Sequence, residues 1–148
     1  MLSLAGAMET SSERPNSELT CSAQAVRDAE SIGASQVYHG AALIDSQAGY
    51  WDGSIEFLQA INKVNALNRR DRVEILAPLI TKSKKDIIEL GASVGVDFSE
   101  TWTCYEGEQQ ACGQCPACSS RIKGFIDAGI KDPLEYKIDI PWDKYNCK

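Results

Sequence analysis

Thr101-Trp-Thr-Cys-Tyr-Glu-Gly-Glu-Gln-Gln-Ala-Cys-Gly-Gln-Cys-Pro-Ala-Cys-Ser-Ser-Arg121 holds four of the six cysteines of this 148-residue chain. Their order is Cys104-x7-Cys112-x2-Cys115-x2-Cys118. Zinc favours four thiolates in a tetrahedron, with Zn–S near ~2.3 Å. Each Cys-x2-Cys step is a tight turn that aims two sulfurs at one ion, and Gly113 eases the reversal of the first. Cys104 brings the fourth ligand across the polar loop Tyr105 to Ala111. A redox pair needs only one Cys-x2-Cys. An iron–sulfur cluster also takes four thiolates, and its common bacterial run orders the spacings differently, so that alternative stays open. In the zinc reading, four protein ligands close the coordination sphere and the ion is structural.

The other two cysteines, Cys21 and Cys147, are remote and carry no assigned role. Clustering of this kind, without an export signal, speaks for a metal site rather than a disulfide framework. The leading Met1-Leu-Ser-Leu-Ala-Gly-Ala-Met8 lacks a basic segment, and Glu9, Glu13 and Arg14 follow too soon for a secretory signal. No apolar run is long enough to span a bilayer. The expectation is a soluble, cytoplasmic protein.

Outward from the cysteines, Pro116 suits the first turn of a last helix, where the helix dipole favours a thiolate at Cys118. Ile122, Phe125 and Ile126 point inward and Gly129 ends the helix. The tail from Asp132 to Lys148 has no strong pattern. Toward the N-terminus, Ser83-x-x-Asp86 is a capping box opening a helix with Ile87, Leu90 and Val94 on one face, Ile88 beside them, and Gly95 as its stop. Val73 to Ala77 alternates as a strand before Pro78. A helix over 54–67 carries the stripe Ile55, Leu58, Ile61, Val64 and Leu67, with Asp52 and Ser54 as candidate N-caps. The connection Ala41 to Gly53 is long, and long loops in compact domains are often functional. Ser35 to His39 is a short strand. A helix over 19–32 has Leu19, Ala23, Val26, Ala29 and Ile32 at helical spacing, with Gly33 after it.

Helix, strand, helix, strand, helix is the rhythm of an α/β fold with a parallel sheet and crossover helices. Two strands are too few for such a sheet. The expectation is therefore a single incomplete α/β domain over 1–148, with a metal-binding segment at 101–121.

The net charge is -6, with 43% hydrophobic and 24% charged residues. That composition is ordinary for a globular domain. The acidic balance speaks against direct nucleic-acid binding, which rests on Lys and Arg at phosphates. The one basic cluster, Arg69-Arg70-Asp71-Arg72, reads as a solvated loop.

Ala77-Pro-Leu-Ile-Thr-Lys-Ser-Lys-Lys-Asp-Ile-Ile-Glu-Leu-Gly91 resembles a segment of the ATP pyrophosphatases. Thr101-Trp-Thr-Cys104, Ala111 to Arg121, Lys123-Gly-Phe125, Asp127-Ala-Gly129 and Asp132-Pro133 together are similar to the 7-cyano-7-deazaguanine synthase family. The resemblance runs from about Asn16 to Pro133, with Pro15-Asn16 where the family has Arg-Asn. Gly49-Tyr50, Asp52 and Glu56-Phe57 match part of its Gly-Tyr-Pro-Asp-Cys-Arg-x-Glu-Phe segment. Trp51, Gly53 and Ser54 replace the Pro, Cys and Arg.

The resemblance implies a partial doubly wound parallel sheet of the adenine-nucleotide alpha-hydrolase type. It implies an ATP-dependent ligase that turns 7-carboxy-7-deazaguanine and ammonia into 7-cyano-7-deazaguanine, for queuosine or archaeosine biosynthesis. Adenylation makes a poor carboxylate leaving group a good one, with ATP and Mg2+ held beside it. Tyr50, Asp52 and Glu56 are then candidate substrate contacts, the ring by stacking and the acids by accepting from a guanine-like edge. Lys82, near a helix start, is either an ATP-phosphate contact or a surface lysine. Trp51 either stacks on the base or anchors the loop. His39, at a strand end where α/β ligands gather, is more simply a histidine accommodated by the fold.

The family's Ser-Gly-Gly-x-Asp-Ser phosphate loop is not in this sequence. The expectation is a C-terminal portion, inactive alone, that forms a homodimer or lacks an N-terminal half. Two other functions fit the residues. One is a pyrophosphatase that modifies tRNA directly, with a basic surface and a reactive cysteine pair. The other is a non-enzymatic zinc-binding interaction module.

Overall fold

The computed structural model describes residues 17–68 and 72–147. The N-terminal stretch through Asn16 and residues Arg69 to Asp71 of the arginine cluster lie outside the described residues; Arg72 is exposed.

The chain forms α1 (Ser17–Ile32), β1 (Gln36–Tyr38), α2 (Leu43–Gln47), α3 (Ile55–Asn65), β2 (Glu74–Leu76), α4 (Lys84–Ser93) and α5 (Pro116–Ala128). Short 3-10 turns lie at Trp51–Gly53, Phe98–Glu100 and Trp142–Tyr145. β1 and β2 pair in parallel, with Val37 opposite Ile75. This is a mixed α/β fold on a short parallel sheet.

Local chemistry sets the boundaries. Ser54 caps α3 by accepting from the Phe57 N–H at 3.1 Å, so Ser54 rather than Asp52 is the cap. Ser83 and Asp86 exchange side-chain bonds as a capping box at α4. The 41–53 connection is not structureless, because Asp45 accepts from the Ala42 N–H at 2.7 Å and starts α2. Ala42 is a weak N-cap residue, which hid this helix from a residue-type reading.

The apolar stripes are covered only in part. On α1, Ala29 is buried while Leu19 and Ile32 are exposed. On α3, Ile61 is buried while Ile55, Val64 and Leu67 are exposed. Three-residue strands are about 10 Å long, whereas the 11 residues of α3 run about 16 Å, so the helix ends overhang the sheet.

The inward face of α4 differs from the expected one. Leu90 and Val94 are exposed, and Ile88 is buried against α5. The contact face runs through Lys84, Ile88 and Gly91. Gly124 allows this approach, since a Cβ there would collide with the Lys84 stem and with Ile88 Cδ1 at 2.9 Å. Phe98 packs edge-on against the buried Phe125, ring centroids 5.1 Å apart. No described helix is long and apolar enough to cross a membrane.

Candidate metal centre

Cys104 arrives on the extended segment after the 98–100 turn. Cys115 is the N-cap of α5, and Cys118 lies in its first turn. Gly113, at φ 76°, makes the reversal between Cys112 and Cys115. A Cβ at Gly113 would lie 2.5 Å from Ile138 Cγ1, so the tail presses directly on this turn. The four Sγ atoms lie within 4.8 Å of one another. Cys112 and Cys118 sulfurs are 3.9 Å apart, close to the ~3.8 Å edge of a tetrahedron with 2.3 Å bonds. That separation is far from the ~2.05 Å of a disulfide.

Backbone N–H groups point at the sulfurs. Gly107 and Cys112 donate to Cys104 at 3.1 and 3.3 Å. Cys115 and Gln114 donate to Cys112 at 3.2 and 3.4 Å, and Cys118 donates to Cys115 at 3.4 Å. Such donors favour thiolate over thiol. The Cys112 N–H and its companions bring the Cys104 pKa down to about 6. Burial opposes charge on Cys115, but N–H groups of Cys118 and Tyr105 outweigh it and hold its pKa below the usual thiol value. Burial pushes Cys118 up to about 12. The arrangement can hold a metal ion, and the last thiolate needs that ion's charge to form.

A buried polar hub fixes the approach to the cluster. Arg121 Nε and Nη2 donate to the two Asp132 oxygens at 2.7 and 2.8 Å. Its Nη1 also reaches Thr101 Oγ1 at 2.7 Å, and its Nη2 the Phe98 carbonyl at 3.0 Å. Tyr136 Oη donates to Asp132 at 2.6 Å. Burial opposes charge on Arg121, and Asp132 outweighs it. Lys137 N–H then donates to the Ala111 carbonyl at 2.8 Å, closing the tail onto the cysteine loop. One residue of α5 thus ties the segment before Cys104 to the tail. Nothing in the tail's pattern signals this, because it rests on two side chains, Asp132 and Tyr136, and no periodicity. The inward position of Arg121, one turn before Phe125 on α5, was the legible sign.

Beside the cluster lies a cavity of about 680 Å³ at the C-terminal end of β1. His39, Tyr50, Asp52 and Lys84 line it from one side, Tyr105 and Ala117 of the metal segment from another. Asp52 is only 9% exposed. Of the other sequence candidates, Glu56 is exposed in the first turn of α3 and Lys82 is exposed before α4, and neither lines the cavity. Trp51 packs edge-on against Phe57, ring centroids 5.3 Å apart. Lys84 and Tyr105 were not singled out by the sequence reading. Lys84 shares a helix face with the buried Ile88, a spacing that reveals its direction once Ile88 is taken as the inward residue.

Residues 14–129 match the family model described as queuosine biosynthesis protein QueC. The chain belongs to the QueC family. It is 38% identical to the 7-cyano-7-deazaguanine synthase of Caldicellulosiruptor saccharolyticus over 130 residues, covering 88% of this chain and 57% of that relative. It is 42% identical to the synthase of Pseudoalteromonas translucida over 123 residues, 83% of this chain and 56% of the relative. The Thermoplasma acidophilum synthase matches at 42% over 113 residues, 74% of this chain and 47% of the relative. The chain spans about half the length of the curated QueC relatives it matches.

Proposed function

We propose that this chain serves the ATP-dependent conversion of 7-carboxy-7-deazaguanine and ammonia to 7-cyano-7-deazaguanine, within queuosine- or archaeosine-type nucleoside biosynthesis in the cytoplasm. Its part is to hold the deazaguanine. The observation that carries this reading is Asp52, a largely buried residue whose side chain lies on the wall of the 680 Å³ cavity with Tyr50, in a chain of the QueC family. A guanine-like edge offers N–H donors to such a carboxylate.

Tyr50 supplies a flat face beside Asp52. Glu56 and Lys82 sit farther out, exposed and off the cavity wall; in this reading Glu56 contacts the substrate and Lys82 the ATP phosphate, with Mg2+. The metal is Zn2+, one per chain, held by Cys104, Cys112, Cys115 and Cys118. It supplies no chemistry beyond fixing the 101–121 segment, because four thiolates leave no open position. The sheet belongs to a doubly wound domain, and the working assembly is a homodimer.

The test is a calorimetric titration of the zinc-loaded chain with 7-carboxy-7-deazaguanine. Saturable binding, weakened about tenfold or more in Asp52→Ala, is the expected result. Loss of a charge-assisted pair is worth about 1.5–3 kcal/mol. Wild-type chain that carries its zinc and ignores the compound overturns the reading. Salt-dependent binding of tRNA in its place would point to direct modification of the nucleic acid.

A further inference from the structure

The metal segment does more than stand beside the cavity. Tyr105 follows Cys104 directly, between a candidate metal ligand and the turn that closes on it. Next along the chain, Gly107 donates to Cys104 Sγ at 3.1 Å. A side chain at Gly107 would collide with the Gln110 carbonyl, so this turn admits little variation. The main chain around Tyr105 is therefore pinned at Cys104, through the chain itself and through Gly107. The ring is not pinned: it lines the cavity and is 78% exposed.

Among the described residues, the rings of Trp51, Phe57, Phe98 and Phe125 each pack edge-on against a neighbour. Tyr105 has no such neighbour among them. A large aromatic side chain held in place by its backbone and left bare toward a cavity offers one face for a flat ligand. The same cavity carries Tyr50 and the buried Asp52 on its other elements.

We infer that Tyr105 is a specificity-determining contact that stacks on the deazaguanine ring, and that the metal ion controls binding by holding Tyr105 at the cavity wall. This rests on the substrate reading above and adds to it the residue and the link to the metal. When the cysteines are loaded, the turn from Cys104 to Gly107 is fixed and the ring is presented at little entropic cost. When they are empty, Cys104 and the Gly107 turn that closes on it are no longer held and the ring is released. Metal binding and heterocycle binding are thus coupled, and the coupling is reciprocal.

The experiment compares wild-type, Tyr105→Ala and Tyr105→Phe chains, each assayed for bound zinc and then titrated with 7-carboxy-7-deazaguanine. Base–aromatic stacking makes the expected loss in Tyr105→Ala about tenfold in Kd, with one zinc per chain retained. Tyr105→Phe keeps the ring and stays within about twofold of wild type. Wild-type chain stripped by a chelator loses binding, and zinc restores it. Tyr105→Ala that binds as wild type does, with zinc in place, overturns the inference and leaves the substrate reading standing. Equal loss in Tyr105→Ala and Tyr105→Phe overturns stacking in favour of a hydroxyl contact. A wild-type chain that ignores the compound sinks the substrate reading and this inference with it.

Discussion

The sheet half of the molecule and the cysteine half solve the same problem differently. Around β1 and β2 the chain relies on apolar stripes, yet these are covered only in part, and Ile32, Val64 and Leu67 face solvent. Around residues 98–138 the interior combines the buried Phe125 with sulfurs, small residues and one buried ion pair. Cys104, Ala111, Cys115 and Cys118 form a buried cluster with Leu134 and Tyr136 against it. The lesson is that burial in the second half is licensed by polar partners, so removing a partner there costs more than trimming a side chain in the first.

Metal removal is the sharpest way to break that contrast. Structural zinc sites in small peptides supply about 10–16 kcal/mol of apparent folding energy. Stripping the metal, or making Cys118→Ser, should release amide protection over 98–138 while α3 and β2 keep theirs, as hydrogen exchange would show. Uniform loss over both halves would refute the division. The pH dependence follows from the thiols. Cys118, pushed up to about 12, is protonated at neutral pH and must lose its proton to bind. Cys104, at about 6, is already a thiolate there and releases none. Metal affinity therefore rises with pH across the neutral range. Below about pH 6 it falls more steeply, as Cys104 joins the competition. A competition titration against a chelator of known pH dependence measures both slopes.

Asp132→Ala comes next in size. It leaves the Arg121 guanidinium, now about 5% exposed, buried without its counter-charge. Breaking one partner of a buried pair costs about 3–5 kcal/mol. Urea unfolding of the zinc-loaded chain should show that loss. Asp132→Asn, which keeps a carbonyl acceptor for Arg121, should lose less. A change below about 1 kcal/mol in Asp132→Ala would mean that the tail is not held through Arg121.

Much of this architecture is written in local sequence. The bounds of α3, α4 and α5 follow from Ser54, Ser83 and Pro116, because capping and proline effects act within one turn of the residue itself. The cysteine cluster was legible for the same reason: its spacing is local. What escaped are features made by contact between distant segments. The inward face of α4 runs through Ile88 rather than Leu90 because α5 presents Gly124 to it, and no pattern inside α4 encodes that. Lys84 follows from the same contact, and so does its place on the cavity wall. The two acids chosen for the substrate also divide on tertiary grounds: Asp52 is buried at the cavity and Glu56 is not, although both sit near the start of α3.

Asn62 offers the smallest and most local test, and it lies in the sheet half. The ladder to β1 uses the backbone of Glu74 and Leu76, whose partners are the Ser35 carbonyl at 3.0 Å and the His39 N–H at 2.7 Å. Ile75 between them points the other way. Its N–H donates to Asn62 Oδ1 at 2.8 Å, and its carbonyl accepts from Asn62 Nδ2 at 2.7 Å. One amide side chain of α3 thus serves as the missing neighbour strand for the outer edge of β2, and it also locks helix to sheet. Open edges recruit other chains, and a side-chain amide closes this one. Asn62→Ala strands both Ile75 groups beside a residue only 2% exposed. The expected cost is about 1–3 kcal/mol, with faster amide exchange at Ile75 and a rise in self-association by light scattering. Zinc content should not change, because nothing in the cysteine half leans on Asn62. If zinc content falls with it, the two halves are one cooperative unit and the contrast between them concerns composition alone.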